Sequence, residues 1–194
     1  MPSGHFTITL QAVINELGVE GTNGILSTFS CPINTDIEIF LKEKAINFSN
    51  QRIARTHLFL RESQRGLDLL GYYTLANKIL TVSPKGLSNT AKKKLERVGI
   101  LDNTTSLYNV AAPLIAQLGK NYTDGLDVVM LGDELLETAC AKVMNVQEEI
   151  GGTLVFIECE DKPELLDFYM RNGFRTMESG LPSEKGLIQM IRFL

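Results

Sequence analysis

Apolar residues recur with a helical period most clearly in the second half of the chain. Between Gly132 and Ile150 they return every three or four positions, which places them on one face of an α-helix. Gly151 and Gly152 follow directly, and glycine just past the last periodic residue is a typical helix stop. The pattern therefore predicts one long amphipathic helix over 132–150.

A continuous apolar run, Leu154–Cys159, comes next and is interrupted only by Glu158. Such a run predicts a strand buried on both faces, as in parallel pairing. Pro163 then stands where the first turn of a helix would begin, and Asp161 and Glu164 are spaced as in a capping box. The alternation of strands and helices predicts a βαβ crossover. The other boundaries predicted in this half are a strand over 109–120, a helix end at Asn172 and Gly173, and short strands over 174–177 and 187–194.

The first half of the chain has shorter and weaker patterns. A strand-like segment, Phe6–Leu10, precedes a stretch over 18–30 that is rich in glycine, threonine, serine and asparagine, and no helix or strand is predicted there. Apolar spacing over 36–47 predicts a helix with a polar cap. The candidates for that cap are Asn34, Thr35 and Asp36. The further predicted elements are strands over 56–60 and 67–82 joined by a hairpin at 64–66, and a basic helix over 88–98.

The composition is that of an ordinary globular protein, with 194 residues, 44% hydrophobic and 22% charged. This length predicts one domain over 1–194, with a variable N-terminal segment over 1–33. The net charge of −4 argues against a protein whose whole surface binds nucleic acid, because phosphate binding needs concentrated lysine and arginine. Nucleic acid is therefore not expected among the partners.

The three cysteines and two histidines limit the chemistry. The cysteines are odd in number and far apart, which favours a reducing, cytoplasmic setting over a disulfide framework. No closely spaced ligand set exists, so no metal is expected, and two distant histidines argue against Ser-His-Asp and Cys-His hydrolases. No apolar run approaches the roughly 18 residues of a membrane span, and the first residues lack the features of a secretory signal. We therefore expect a cytoplasmic protein without a membrane partner.

Two segments of the second half carry candidate chemistry. Over 113–136, a strand, a polar connection and a helix that starts at Gly132 follow one another, and the free N–H groups of such a helix start suit a pyrophosphate. Over 168–174, Tyr169 lies near the end of a helix that follows a buried strand, where its hydroxyl could act as an acid. Each segment alone is more often purely structural.

Taken together and in this order, the two segments resemble the GNAT superfamily of acetyl-CoA-dependent N-acetyltransferases. In that family a strand splays from its neighbour and pairs with the pantetheine arm, and a loop of pattern Gln/Arg-x-x-Gly-x-Gly/Ala holds the pyrophosphate. The segment 116–120 is similar to the splayed strand, and 127–132 stands in place of the loop, where only Gly132 matches. Asp127 and Met130 depart from the pattern.

The resemblance implies a mixed α/β (α+β) fold, with a mostly antiparallel central sheet, a splayed parallel strand pair and flanking helices. The acetyl-CoA-binding core would lie over 109–177. Acetyl-CoA would be the cosubstrate, a primary amine on a small molecule or a protein would be the acceptor, and transfer would be direct, in a ternary complex. The oligomeric state stays open, with a homodimer as one option.

The resemblance also implies roles for individual residues. Tyr169 corresponds to the residue that protonates the departing CoA thiolate, a reasonable pairing because phenols and thiols have neighbouring pKa values. Glu158 and Glu160 are candidates for the base that deprotonates the amine, and a charge-paired Glu158 is the competing interpretation. The residues implied in cofactor binding are Gln117, Leu118, Gly119, Lys120, Met130, Leu131, Gly132, Asp133, Lys162 and Phe168.

Two alternative functions remain open. The departures at Asp127 and Met130 are consistent with a GNAT-fold binding or regulatory module that has lost catalysis. The strand around Pro113 and Gln117 also resembles the branch that contains aminoacyl-tRNA-acetylating toxins. Because such enzymes need a basic surface, the net charge of −4 argues for a small-molecule or protein amine instead.

Overall fold

The computed structural model describes residues 4–64, 66–177 and 186–194. In chain order, the elements are β1 (His5–Thr9), α1 (Leu10–Ser27), α2 (Thr35–Ile39), a π-helical turn (Phe40–Lys44), α3 (Ala45–Asn50), β2 (Arg55–Ser63), β3 (Gly66–Val82), α4 (Asn89–Val98), β4 (Ile100–Asp102), β5 (Leu107–Lys120), a 3₁₀ turn (Thr123–Val128), α5 (Gly132–Ile150), β6 (Leu154–Cys159), α6 (Pro163–Arg171), β7 (Arg175–Thr176) and β8 (Ile188–Phe193).

These elements form two compact units. The first unit comprises 1–76 and 116–138, and the second comprises 77–115 and 139–194. Strands β3 and β5 and helix α5 each contribute residues to both units. Within the described residues the strands pair in the order β1-β2-β3-β5-β6-β8-β7, with β4 beside β5.

The first unit contains an antiparallel arrangement of β1, β2 and β3. The β2–β3 hairpin has a register shift, because Phe59 pairs with Gly71 whereas Leu60 pairs with Leu69. Leu70 is therefore an extra residue in β3, which is the definition of a β-bulge. The hairpin agrees with the sequence prediction, although Arg65 at its tip lies outside the described residues.

The core of the first unit lies where α1, α3 and the π-helical turn meet β2 and β3. Its buried members include Leu10, Leu26, Phe29, Cys31, Phe40, Leu41, Ala45, Leu58, Leu69 and Tyr72. The hydroxyl of Tyr72 donates a hydrogen bond to the carbonyl of Ile37 at 2.6 Å, so this aromatic residue is buried with its polar group satisfied.

The second unit contains the one parallel pair recorded among the described strands. Leu114 of β5 pairs with Phe156 of β6, and Ile115 pairs with Ile157, after which β5 continues to Lys120. Strand β6 pairs antiparallel with β8, and β8 with β7. The first four residues of β6 are all buried, as a continuous apolar run requires. The mixed, mostly antiparallel sheet with flanking helices is thereby confirmed.

Two local predictions differ from the structure. Helix α1 extends through the polar stretch over 18–30 as far as Ser27, and Gly18 interrupts it with a φ of 68° and a ψ of 178°. The capping box at the start of α6 is absent, because Lys162 is the N-cap and makes no side-chain capping bond. Pro163 does occupy the first turn, where its missing N–H costs nothing.

No helix among the described ranges is both long and apolar enough to cross a membrane.

Candidate functional site

The end of β5 is tightly packed within the first unit. A Cβ added at Gly119 would lie 2.5 Å from Cγ2 of Ile37, and one at Gly71 would lie 2.8 Å from the carbonyl oxygen of Gly119. Only glycine therefore fits at 119 without displacing the side chain of Ile37. Gln117 and Leu118 precede it on β5 and are half-buried.

Lys120 is the last residue of β5 and reaches the loop that leads to α5. Its ammonium donates a hydrogen bond to the backbone carbonyl of Asp127 at 2.8 Å, and it lies 5.6 Å from the ring centroid of Tyr122. The cation is thus held against the segment that the sequence comparison assigned to pyrophosphate. This contact places a positive charge beside Asp127, the residue whose negative charge would repel a pyrophosphate.

Asn121 anchors the start of the same loop and was not singled out by the sequence. Its buried side-chain amide accepts hydrogen bonds from the N–H groups of Ser30 and Thr123, at 2.9 and 3.0 Å. It donates to the carbonyls of Thr28 and Leu69, at 3.2 and 2.7 Å, so the amide is fully satisfied.

The backbone of Asn121 completes this anchor. Its N–H donates to the carbonyl of Leu70 at 2.8 Å. The β-bulge of β3 therefore has two successive carbonyls, those of Leu69 and Leu70, bonded to one asparagine. This arrangement fixes where β5 ends and where the loop begins.

Helix α5 begins at Gly132, as the sequence predicted. Asp133 and Glu134 occupy its first turn, where carboxylates stabilise the positive end of the helix dipole. Glu134 also lies 3.0 Å from Nε2 of His5, a contact between partly exposed side chains. Of the two carboxylates that would repel a pyrophosphate, that of Glu134 therefore contacts a histidine.

Met130 and Leu131 precede this helix with opposite exposures. The Met130 side chain is fully buried, whereas Leu131 is largely exposed. Met130 stands where the GNAT pattern has its first loop glycine. Its side chain packs into the protein interior and does not lie on the surface of the loop. The strand end, the loop and Gly132 are therefore compatible with a phosphate-bearing ligand, and Lys120 places a cation at this loop.

Tyr169 lies near the end of α6 in the second unit, packed between two phenylalanine rings. The ring centroids of Phe168 and Phe174 are 5.0 and 5.7 Å away, both edge-on. Burial raises the pKa of Tyr169 well above its ordinary value of 10.0, with a smaller contribution from Cys159. No group in the described part of the chain hydrogen-bonds to its hydroxyl. The phenol therefore stays protonated at neutral pH, which is the state a general acid needs.

The carboxylate of Glu158 is engaged by two neighbours in the second unit. Gln189 donates a hydrogen bond to it at 3.0 Å, and the ammonium of Lys78 lies 3.9 Å away. This is the charge-paired arrangement that competes with a role as base. Cys159, next along β6, is buried, and burial raises the pKa of its thiol to about 11, so it is not an activated nucleophile.

The two other candidates of the second unit lie at either end of α6. Lys162 forms an ion pair with Glu160 at 2.5 Å, and the hydrogen bond in that pair raises the pKa of the lysine. Both side chains are about half exposed to solvent. The ring of Phe168 lies 5.1 Å beneath the guanidinium of Arg171. Within the described ranges no group of three or more His, Cys, Asp or Glu residues could hold a metal ion.

Known structures share this arrangement of strands and helices. A Tyr-to-Phe mutant of KacT is 17% identical, covers 97% of this chain and 94% of its own, and superposes with a TM-score of 0.68. The chain has the GNAT fold. AtaT complexed with acetyl-methionyl-tRNAfMet is 17% identical over 98% of this chain and 94% of its own, with a TM-score of 0.65. AtaTR bound with AcCoA is 16% identical over 97% and 92%, with a TM-score of 0.63.

The structural comparison thus confirms the fold that the resemblance of the sequence implied. No protein-family profile matches the sequence, and no curated protein is similar to it in sequence. The sequence-based expectation that nucleic acid is not a partner is not supported, because a protein of the same fold forms a complex with a tRNA. Net charge sums the whole surface and therefore does not report a local basic patch.

Proposed function

We propose that this chain is an N-acetyltransferase that moves an acetyl group from acetyl-CoA to a primary amine. The observation that carries the proposal is Tyr169, a protonated phenol at the end of α6 in a chain with the GNAT fold. Neighbours of this fold include AtaTR bound with AcCoA. The scarcity of histidine and cysteine fits this chemistry, because direct transfer needs no protein nucleophile.

The transfer would proceed in one ternary complex. The neutral amine attacks the thioester carbonyl, a C–N bond forms, and the C–S bond breaks as the tetrahedral intermediate collapses. Tyr169 would donate its proton to the departing thiolate, and the amine would lose a proton to water or to a carboxylate. Glu158 is the candidate for that carboxylate, and its bond from Gln189 leaves one oxygen facing the more distant Lys78.

Binding of acetyl-CoA would use the end of β5 and the start of α5. The backbone of Gln117, Leu118 and Gly119 would pair with the pantetheine arm. Lys120 would neutralise part of the pyrophosphate charge, and the free N–H groups at the helix start would donate hydrogen bonds to its oxygens. The other residues proposed to contact the cosubstrate are Met130, Leu131, Gly132, Asp133, Lys162 and Phe168.

The acceptor that we favour is the α-amine of an aminoacyl-tRNA. The support is the complex of AtaT, of the same fold, with acetyl-methionyl-tRNAfMet. On this chain, helix α4 carries four basic residues that could contribute a local patch despite the acidic total: Lys92, Lys93, Lys94 and Arg97. A small-molecule amine or a protein amine is the competing acceptor.

The test is product formation with the purified chain. We expect CoA release, detected with a thiol reagent, when acetyl-CoA is supplied together with aminoacylated tRNA, and mass spectrometry should locate the acetyl group on the aminoacyl nitrogen. If only small-molecule or protein amines are acetylated, the chain is still an acetyltransferase, and aminoacyl-tRNA is abandoned as its acceptor. Binding of acetyl-CoA without any product across the panel would identify the chain as a regulatory module, and the proposal of catalysis would be abandoned.

A further inference from the structure

Tyr122 lies two residues past Lys120, directly before the 3₁₀ turn, and the proposed function gives it no role. Its side chain is half-buried and packs against the core of the first unit. Lys120 is the cation proposed to contact the pyrophosphate, and its ammonium lies 5.6 Å from the centroid of the Tyr122 ring. The two side chains are therefore within the roughly 6 Å over which an ammonium is attracted to an aromatic ring.

The Tyr122 ring is held in place by the first unit. The N–H of Tyr122 donates a hydrogen bond to the carbonyl of Ser30 at 2.8 Å. The preceding residue, Asn121, is anchored through its buried side-chain amide. Because the main chain and the ring both have partners in this unit, Tyr122 offers the ammonium of Lys120 a fixed surface.

The phenol of Tyr122 carries no charge at neutral pH. Burial raises its pKa above the ordinary value of 10.0, with smaller contributions from Cys31 and Asp127. The attraction on Lys120 therefore comes from the electron-rich face of the ring and not from a phenolate. A phenylalanine ring at the same position would offer the ammonium an equivalent face.

The ammonium of Lys120 has a second contact in the same loop, the hydrogen bond of 2.8 Å to the backbone carbonyl of Asp127. An ammonium has three N–H donors, so this contact and the ring leave donor capacity for a phosphate oxygen. A lysine side chain is flexible and loses rotamer freedom when it binds an anion. Contacts that fix it beforehand reduce that cost and so favour binding.

We propose that Tyr122 is a positioning residue for acetyl-CoA, because its ring holds the ammonium of Lys120 at the loop that receives the pyrophosphate. The inference rests on the proposed function, since it takes Lys120 as a contact of the cosubstrate. It goes beyond that function in naming the residue that orients this contact. Tyr122 then affects acetyl-CoA affinity through Lys120, and a change at 122 has no effect on that affinity when the ammonium is absent.

Calorimetric titration of the full chain with CoA and with acetyl-CoA tests the role of the ring. Tyr122→Leu removes the ring, and we expect the Kd to rise about two- to fivefold, the factor for a cation–π contact that is partly exposed to solvent. Tyr122→Phe keeps the ring and should bind as the wild type does. Tyr108→Leu makes the same change at another half-buried tyrosine, on β5, and is the matched control with unchanged affinity.

A double-mutant cycle with Lys120→Met distinguishes positioning of the cation from packing of the loop. If Tyr122 acts through Lys120, Tyr122→Leu raises the Kd in the wild type and leaves it unchanged in Lys120→Met. A residue that only supports the loop by packing would raise the Kd by the same factor in both backgrounds. The cycle therefore gives a result that a purely structural role does not produce.

Folding is checked by the melting temperature of each variant. Leucine keeps an apolar side chain against the core, so Tyr122→Leu is expected to fold. If it melts well below the wild type, Tyr122→Met removes the ring with a more adaptable side chain and serves for the same comparison.

The possible results separate this inference from the proposed function. A loss of affinity in Tyr122→Leu that is absent from Tyr122→Phe and from the Lys120→Met background supports the positioning role. Equal affinity in wild type and Tyr122→Leu, or equal losses in both backgrounds, overturns that role and leaves the acetyltransferase proposal standing. Absence of CoA and acetyl-CoA binding by the wild type overturns the acetyltransferase proposal, and the positioning role with it.

Discussion

The ammonium of Lys120 donates a hydrogen bond to the backbone carbonyl of Asp127, 2.8 Å away, and thereby ties the end of β5 to the loop before α5. The contact holds a cation at the segment proposed to receive a pyrophosphate. It also explains how a loop with an aspartate in place of the family's Gln or Arg could still bind an anion. The positive charge comes from the strand before the loop.

Replacing Lys120 with methionine should therefore weaken acetyl-CoA binding. We expect the Kd to rise about tenfold, as for the loss of a charged hydrogen bond, while kcat at saturating acetyl-CoA changes little. Calorimetry with CoA and acetyl-CoA measures the effect. Lys142→Met, on the exposed face of α5, is the control, and equal affinity in both variants would remove Lys120 from the binding site.

Tyr169→Phe should lower kcat by roughly 10²–10⁴-fold, the range for loss of a general acid, with acetyl-CoA affinity nearly unchanged. Because burial raises the pKa of this phenol, its ionisation should not reduce the wild-type rate at any pH up to about 10. Steady-state kinetics across pH give both quantities. Tyr108→Phe makes the same chemical change on β5, and a similar loss in that variant would argue against a specific role for Tyr169.

Asn121→Ala should destabilise the chain by about 3 kcal/mol, because it leaves the buried carbonyl of Leu69 and the partly buried N–H groups of Ser30 and Thr123 without their partner. Urea denaturation measures the free energy of unfolding. The exposed Asn103, changed to alanine, provides the comparison, and the two variants should differ clearly. A loss below about 1 kcal/mol would mean that water replaces the amide.

Gly119→Ala should also be destabilising, by about 1–3 kcal/mol, because the new methyl group would overlap Cγ2 of Ile37. Combining it with Ile37→Ala should recover part of this loss, since the double variant removes the overlapping atom. Gly24→Ala, in α1 with no heavy atom within 4 Å of the added Cβ, should be neutral or stabilising. Strictly additive effects at 119 and 37 would refute the steric explanation.

Cys159 should make stability depend on pH in the alkaline range. Its thiol pKa is about 11 in the folded chain against an ordinary 9.0, with burial as the main cause. The neutral thiol is favoured by folding, so this contribution is fully present below pH 9 and is lost as the pH rises towards 11. Between these pH values, the free energy of unfolding measured by denaturant titration should fall less for Cys159→Ala than for the wild type. Parallel curves for the two proteins would contradict the shift.

Much of the second half could be predicted from sequence to within a residue. Helix α5 and strand β6 have the bounds that their apolar patterns indicated. The spacing of apolar residues shows whether an element buries one face or both, so such elements can be read from the sequence. The first half was harder. Helix α1 was missed because Gly18 breaks it and its polar residues favour turns when considered alone.

In the candidate site, too, some residues could be predicted from the sequence and others could not. Gly132 and Tyr169 could be recognised as a helix start and a helix end, since each depends on a few neighbouring residues. By itself, the sequence determined these local elements and the order in which they follow one another. The role of Asn121 was decided only by tertiary structure. Its partners at Ser30, Thr28 and Leu69 come from segments far away in the chain, and which buried polar group meets which depends on strand register and helix packing that no local pattern encodes.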